Sequence, residues 1–483
     1  MINYRPVVRF MGLLLMLIGI LMFSGLPISF YLKSQDWQAL LYSGLLCIGV
    51  GIPLWFNRLG KNDSIGKREG YLIVAFGWLT MVTFGTLPYL FSGVTKDFTD
   101  AFFETVSGMT TTGASIFTDI EALPYGILYW RSLTQWIGGM GVIVLTVAIF
   151  PLLGIGGIEL FVAEAPGPTS DKIHPRIRET AKRLWYIYVS LTAVLTVILY
   201  FAGMTPYDAI NHALTTMATG GFSTKNASMA HFDVPAIQYP IILFMFLAGV
   251  NYTVLYYSLM GKFKKVWRSD EFKAYLLVVG VLGIIVTLSV HHATDLSWEK
   301  SFRDSLFQII SLITTTGYVS ADYTSWTPGL TMLFFILMFL GASAGSTSGG
   351  IKIIRHLVFF KNSLLEFKRI IHPRAVVPLK LNGSIVAPRI MTHIIIFLLL
   401  YMILFVIGSI VVSIMGLDFN TAIGAVATSL GNVGPGIGKV GPVDNFAWLN
   451  WDIKLFLSFL MLLGRLEIFT ILVLFTPYFW KLN

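Results

Sequence analysis

Four short stretches end in a turn that could offer backbone carbonyl oxygens to a cation. They are Thr110-Thr111-Thr112-Gly113, Ala218-Thr219-Gly220-Gly221, Thr314-Thr315-Thr316-Gly317 and the more divergent Gly431-Asn432-Val433-Gly434. Each closes a segment that begins polar, at Asp100, Asp208, Asp304 and Asn420-Thr421, and the four align without a gap on their glycines. Glycine permits backbone angles that let successive carbonyls face one way. Rings of such carbonyls replace the hydration shell of potassium in channel filters. A divalent ion would call for carboxylate rings, and the positions just before the glycines hold none. In the fourth copy Asn432-Val433 replaces two threonines, so one quadrant is expected to differ chemically.

The elements that must position these turns are membrane helices. The 483-residue chain is 55% hydrophobic and 12% charged, against roughly 25% charged in a soluble domain. Apolar runs such as Val7 to Leu32, Trp37 to Phe56 and Gly70 to Phe91 meet the length of about 20 residues needed to cross a bilayer. The first run lacks a small-x-small cleavage site and reads as an uncleaved span. After two spans, four repeats of span, short segment and span follow. The sequence therefore predicts an all-α polytopic membrane protein: an N-terminal two-helix hairpin plus four span–pore helix–span repeats around a pseudo-fourfold ion pore. Boundaries are expected at 1–66, 67–180, 181–268, 269–375 and 376–483. The second spans are expected at Ile127–Val162, Ala236–Met260, Leu330–Phe360 and Ile453–Phe479.

The short segments are too short to cross. A dozen helical residues cover about 18 Å, roughly half of a 30 Å core. Thr99-Asp100, Thr205-Pro206 and Ser301 look like helix starts, with a capping residue or proline at the first position. Four helices lying on the surface would fit the lengths but would not require a shared terminal glycine. Non-helical backbone at membrane depth survives only where protein or a water-filled cavity surrounds it. The four turns are thus expected to meet at one axis, each helix pointing the negative end of its dipole there.

Charge placement sets the orientation. The net charge is +9, and basic residues concentrate in Arg58 to Arg68, Lys172 to Arg183, Lys262 to Lys273 and Lys352 to Arg389. By the positive-inside rule these loops and both termini are cytoplasmic, and the four segments enter from outside. The charge does not suggest nucleic acid. Cys47, the one cysteine, lies in an apolar run and permits no intrachain disulfide.

Further stretches complete a pattern: Gln135-Trp136-Ile137-Gly138-Gly139-Met140-Gly141, Gly249-Val250-Asn251-Tyr252, Gly341-Ala342-Ser343-Ala344-Gly345-Ser346-Thr347-Ser348-Gly349-Gly350 and Gly464-Arg465-Leu466-Glu467. In this order, with the four glycine turns, the whole chain resembles the Trk/Ktr/HKT superfamily of potassium transporters, and the bacterial Trk type through its N-terminal hairpin. The resemblance implies a selectivity filter from Thr111, Thr112, Gly113, Thr219, Gly220, Gly221, Thr315, Thr316, Gly317, Asn432, Val433 and Gly434. It implies K+ as the transported ion, a homodimer with one pore per subunit in the bacterial inner membrane, and a cytosolic regulatory ring of the TrkA type that binds NAD or ATP. With a single shared glycine per copy, sodium exclusion is expected to be less strict than in tetrameric potassium channels.

Two features bear on gating. Leu330–Phe360 is too long for one crossing, and its middle is built of small residues. A helix with a small-residue packing face would explain that; the favoured reading is an unwound loop, Gly345 to Gly350, beneath the filter. In the family this loop is the gate. Its spacing to Lys352 only superficially resembles a nucleotide-binding loop. Arg465 falls inside the apolar run Leu455–Phe475, where a charge costs several kcal/mol unless it faces a cavity or partner. It either faces the pore and meets the loop, or pairs with a distant acid. Glu467, two residues on, is a poor direct partner.

Lesser candidates stay open. Asn251 lines the pore or bonds between helices. Glu104 attracts cations, or caps and packs. His291-His292 shows no metal-ligand spacing, and Gly154-Ile155-Gly156-Gly157 reads as a helix bend. Paired catalytic acids and nucleophile elbows are not found in the spans, so an enzyme is not expected. A cation-coupled (H+ or Na+) symporter is the alternative function, but it needs a relay of buried acids, and only Glu467 is evident.

Overall fold

The computed structural model describes residues 2–56, 66–152, 177–375 and 377–481. The bend expected at Gly154–Gly157, most of the basic stretch 58–68 and the first part of the stretch 172–183 lie outside them. The described chain is helical, apart from one two-residue hairpin pairing Lys380 with Ile385 and Leu381 with Ser384.

Helix Tyr4–Phe23 with its continuation Leu26–Tyr31 packs against Trp37–Trp55. Small residues let the two backbones touch. A Cβ on Gly12 would lie 2.7 Å from the Gly51 carbonyl, and one on Gly19 would lie 2.7 Å from that of Gly44. Such close approach is how helices associate where lipid supplies no hydrophobic drive.

The four short helices are Phe98–Met109, Pro206–Ala218, Trp298–Ile313 and Phe419–Gly431. Thr205 caps the second, with Pro206 in its first turn, as expected. The first is capped by Asp97 rather than Thr99, and the third by Ser297 rather than Ser301. Both helices begin earlier because the preceding residue already offers a side-chain oxygen to the free N–H groups. Asp418 caps the fourth. Hydrogen bonds from Thr421 hold its carboxyl below the usual carboxylate range.

The first spans of the repeats are Lys67–Gly85 with Leu87–Ser92, Ile177–Phe201, Asp270–Ala293 and Pro388–Ile414. The second spans correct the expectation. In repeat one the helix Tyr125–Leu152 is continuous. Repeat three breaks between Pro328–Leu337 and Ile353–Ile371, as anticipated. Repeats two and four, each expected as a single span, also break. Pro235–Ala248 meets Tyr252–Leu259 at 111°, and Trp451–Arg465 meets Ile468–Phe475 at 113°. The causes are local: Asn251 starts a new helix by accepting from the Thr253 N–H, and Glu467 has φ +58°. Among the described residues six helices are long and apolar enough to cross a membrane on their own, or up to eight spans if each bent pair counts as one.

Two large hydrophobic cores and a small third one form among the described residues. The first mainly joins the N-terminal hairpin with repeats one and four, the second mainly repeats two and three, and the third gathers Ile354, Val358, Leu379, Leu381, Val386 and Ile394. Trp136, Phe339 and Phe405 pack against both large cores and bind the halves together. The outward faces are apolar; Leu399, Ile403, Val406, Ile410 and Ile414 are exposed along one helix.

Candidate functional site

All four short helices end the same way. In the first, the Thr111 N–H bonds the Gly108 carbonyl (2.9 Å) and Thr112 N–H that of Ser107 (2.8 Å). The pairs repeat as Thr219–Thr216 with Gly220–Thr215, Thr315–Leu312 with Thr316–Ser311, and Asn432–Ser429 with Val433–Thr428. This is a Schellman termination, which needs one left-handed residue. That residue is Thr111 (φ +54°), Thr219 (+53°), Thr315 (+54°) or Asn432 (+53°). Two positions later the backbone turns left-handed again, at Gly113 (+86°), Gly221 (+77°), Gly317 (+75°) and Gly434 (+103°).

β-branched residues adopt this conformation only under strain, whereas asparagine tolerates it. The fourth copy therefore differs in side chain while keeping the backbone of the other three. Asn432 also donates Nδ2 to Thr112 Oγ1 (3.0 Å) and to the Met461 carbonyl (2.9 Å), tying quadrant four to quadrant one.

The glycines show how the quadrants meet. A Cβ on Gly113 would strike the Gly220 carbonyl oxygen, one on Gly221 that of Thr316, and one on Gly317 that of Val433. A Cβ on Gly434 would come within 2.6 Å of the Thr112 carbonyl oxygen. The contacts run one to two, two to three, three to four and four back to one. The turns form a closed ring, each glycine seated against the carbonyl that precedes the next glycine.

A second layer lies beneath, on the side of the helix ends. Gly341 N–H bonds the Ile351 carbonyl (2.8 Å) and Ile353 N–H that of Ala342 (3.1 Å), which pinches Ser343 to Gly350 into a tongue. The tongue touches three quadrants. Gly349 N–H donates to Thr315 Oγ1 (2.6 Å), and Thr347 Oγ1 to the Met217 carbonyl (3.0 Å). A Cβ on Gly349 would come within 2.8 Å of the Gly431 carbonyl. Ser346 Oγ and Ser348 Oγ bond each other at 2.9 Å, and the Gly345 carbonyl accepts from the Tyr252 N–H at 3.1 Å. Gly350 has φ +65°.

Arg465 ends a helix at the break in repeat four, rather than standing within one straight span. Its Nη1 donates to the Thr347 carbonyl (2.9 Å), and its Nη2 to those of Gly138 (2.7 Å) and Gly139 (3.3 Å). It thus joins repeats four, three and one across the tongue. Glu467 instead bonds Arg355 at 2.7 Å. Asn251 bonds the tongue, donating Nδ2 to the Ala344 carbonyl (2.6 Å). All four motifs that accompany the glycine turns in the sequence meet in this layer.

Several contacts here lie beyond what the sequence implied. Lys352 Nζ bonds the Ser348 carbonyl and approaches Ser348 Oγ (3.2 Å), so the lysine holds its own tongue. Glu104 pairs with Arg131 at 2.5 Å with both side chains buried, and accepts from Ile116 N–H (2.9 Å) and Ser115 Oγ (3.1 Å). It packs and anchors rather than facing free water. Asp208 and Asp304 are buried as well, so acids are less scarce than Glu467 alone implied. Asp208 accepts from Thr224 Oγ1 (2.5 Å), and Asp304 from Ser320 Oγ (3.2 Å). The signal was present: a polar residue at a fixed distance before each glycine, and Arg131 inside an apolar stretch. Gln135 Nε2 donates to the Gly220 carbonyl (2.6 Å), reaching the ring from repeat one.

Comparison with known proteins agrees with this fold. Residues 37–481 match the family model for TrkH, a cation transport protein. The Trk system potassium uptake protein TrkH of Salmonella typhimurium is 40% identical over 485 residues, covering 99% of this chain and all of that protein. TrkG of Escherichia coli K12, also described as a Trk system potassium uptake protein, is 35% identical over 484 residues, covering 99% of each. The crystal structure of the potassium transporter TrkH from Vibrio parahaemolyticus superposes with a TM-score of 0.89 at 36% identity, covering 99% of this chain and 100% of that one. The chain is therefore a multi-pass, all-helical membrane protein and belongs to the TrkH family of cation transport proteins.

Proposed function

We propose that this protein takes up potassium across the bacterial inner membrane through a channel-like pore, with both termini cytoplasmic. The five units expected from the sequence are then a hairpin and four pore repeats. The closed ring of four glycine turns is the observation that carries this reading. Its left-handed positions alternate with others, which turns successive carbonyls toward one axis, where four helix dipoles add negative potential. Thr111, Thr112 and Gly113 with their counterparts Thr219, Gly220, Gly221, Thr315, Thr316, Gly317, Asn432, Val433 and Gly434 form the filter. The tongue Gly345–Gly350 is the gate, and Arg465 holds it closed by adding a positive charge below the filter.

Regulation comes from a separate cytosolic ring of the TrkA type binding NAD or ATP, with the pore subunit a homodimer. The description of the relatives as parts of a Trk system supports a partnered assembly. The buried acids do not favour proton-coupled symport, because Glu104, Asp208 and Asp304 are each engaged by neighbouring donors.

Flux into liposomes holding the purified protein tests the proposal. Potassium and rubidium enter down the membrane potential ahead of sodium, and choline is excluded. Uptake that requires a proton gradient replaces the channel with a symporter.

A further inference from the structure

Nine positions before the aligned glycines stand Glu104, His212, Gln308 and Ala425. In the first three quadrants this side chain reaches across to the segment leaving the ring. Glu104 holds Ser115 and Ile116, and Gln308 Nε2 donates to Ser320 Oγ (3.4 Å). His212 Nε2 lies 2.9 Å from Ser223 Oγ. Quadrant four has no such side chain. There Gly424 brings the backbones together, and its Cβ would lie 2.7 Å from the Ile437 nitrogen.

His212 differs from the others in its connections. It is fully buried, and its Nδ1 lies 2.8 Å from the Asp208 carbonyl oxygen. A carbonyl only accepts, so Nδ1 carries the proton and Nε2 accepts from the serine hydroxyl. Ser223 Oγ in turn accepts from the Lys225 N–H (3.0 Å). The Ser223 carbonyl accepts from Arg131 of repeat one (3.1 Å). The His212 carbonyl accepts from Tyr318 Oη (3.2 Å), the residue directly after Gly317 in quadrant three. The imidazole meets Phe232 edge-on and lies tilted 6.0 Å from Tyr318. The imidazole thus joins, within quadrant two, the two backbone segments whose carbonyls are held by Arg131 of quadrant one and Tyr318 of quadrant three.

We infer that His212 is a positioning residue for the second quadrant of the ring, and through it a determinant of which monovalent cation the ring favours. This deepens, and rests on, the cation-pore reading above. The neighbouring quadrants bear on the Ser223 and His212 carbonyls, so losing the imidazole–serine bond loosens the segment that leaves Gly221, while Gln135 still holds Gly220 and Phe222. A ring that can contract accommodates a smaller ion; a ring held open does not.

The test is the ratio of potassium to sodium flux in liposomes containing the full-length protein. His212→Ala lowers the ratio about fivefold, the factor for one buried hydrogen bond. His212→Gln, which installs the residue of quadrant three, keeps it within about twofold of the unmodified protein. Ser223→Ala removes the same bond from its other end and lowers the ratio similarly, and the double variant is no worse than either single one. If both alanine variants leave the ratio unchanged while lowering both fluxes together, His212 is only structural and the inference fails. It also fails if His212→Gln behaves as His212→Ala does. Should His212→Ala not fold, Ser223→Ala decides alone. If the unmodified protein carries neither ion, the pore reading falls and takes this inference with it.

Discussion

The ring and the layer beneath it are built from the same four repeats, yet they obey opposite rules. In the ring, three different sequences, one of them used twice, adopt one backbone, with left-handed angles between +53° and +54° at the helix ends. Beneath it the four second spans diverge: one is continuous, two bend by 111° and 113°, and one opens into a tongue. On the proposed function, equal carbonyls on one axis give coordination, and unequal elements below permit one of them to move while the ring stays fixed. Symmetry would then be kept where an ion is surrounded and dropped where a passage is switched.

Substitutions in the ring sharpen this contrast most. Gly221→Ala forces a Cβ into a left-handed position, against the Thr316 carbonyl of the next quadrant. The conformational cost alone is about 1–2 kcal/mol, so potassium flux should fall at least about tenfold, with selectivity lost in what remains. Gly113 and Gly434 should behave alike, and a ring variant that keeps selectivity breaks the comparison. In the lower layer Arg465→Ala removes charge-assisted bonds to Thr347, Gly138 and Gly139. At about 1.5–3 kcal/mol for such contacts, flux without the regulatory partner should rise about tenfold, with the ion preference unchanged. Unaltered flux and regulation would remove Arg465 from the gate.

Asn432→Thr gives quadrant four the strained residue of the other three and removes the bond to Thr112. It should lower stability by about 1–3 kcal/mol in thermal unfolding, with the ion ratio shifting less than in Gly221→Ala. The smallest effect belongs outside the ring. Asp418→Ala should cost about 1 kcal/mol of stability at neutral pH. Because the Asp418 carboxyl is held below its usual range, its contribution is complete above the ordinary carboxylate pKa. It fades as pH falls through the lowered value, so the wild type and variant should converge in acid.

Most of the ring was legible because its cause is local. A left-handed turn after a short helix has a strong residue signature, and the sequence states it four times. Asn432 looked like a departure only because residue identity was read before conformation; asparagine suits the position that threonine fills under strain. The bends at Asn251 and Glu467 were missed for the opposite reason. Both lie in long apolar runs, where hydropathy reports length and not direction. The contacts of Arg465 with Thr347 and Gly138 and of Glu104 with Arg131 needed tertiary placement, since these partners lie 118, 327 and 27 residues away. The broken helix of repeat three was visible because its small residues are clustered.

The central claim is that the carbonyls of Thr112, Gly220, Thr316 and Val433 surround one cation. Crystals grown in rubidium and measured at its absorption edge test this directly. The account predicts an anomalous peak on the ring axis, equidistant from those four oxygens and absent in sodium-grown crystals. A peak beside the ring, or an axis empty in rubidium, would contradict it.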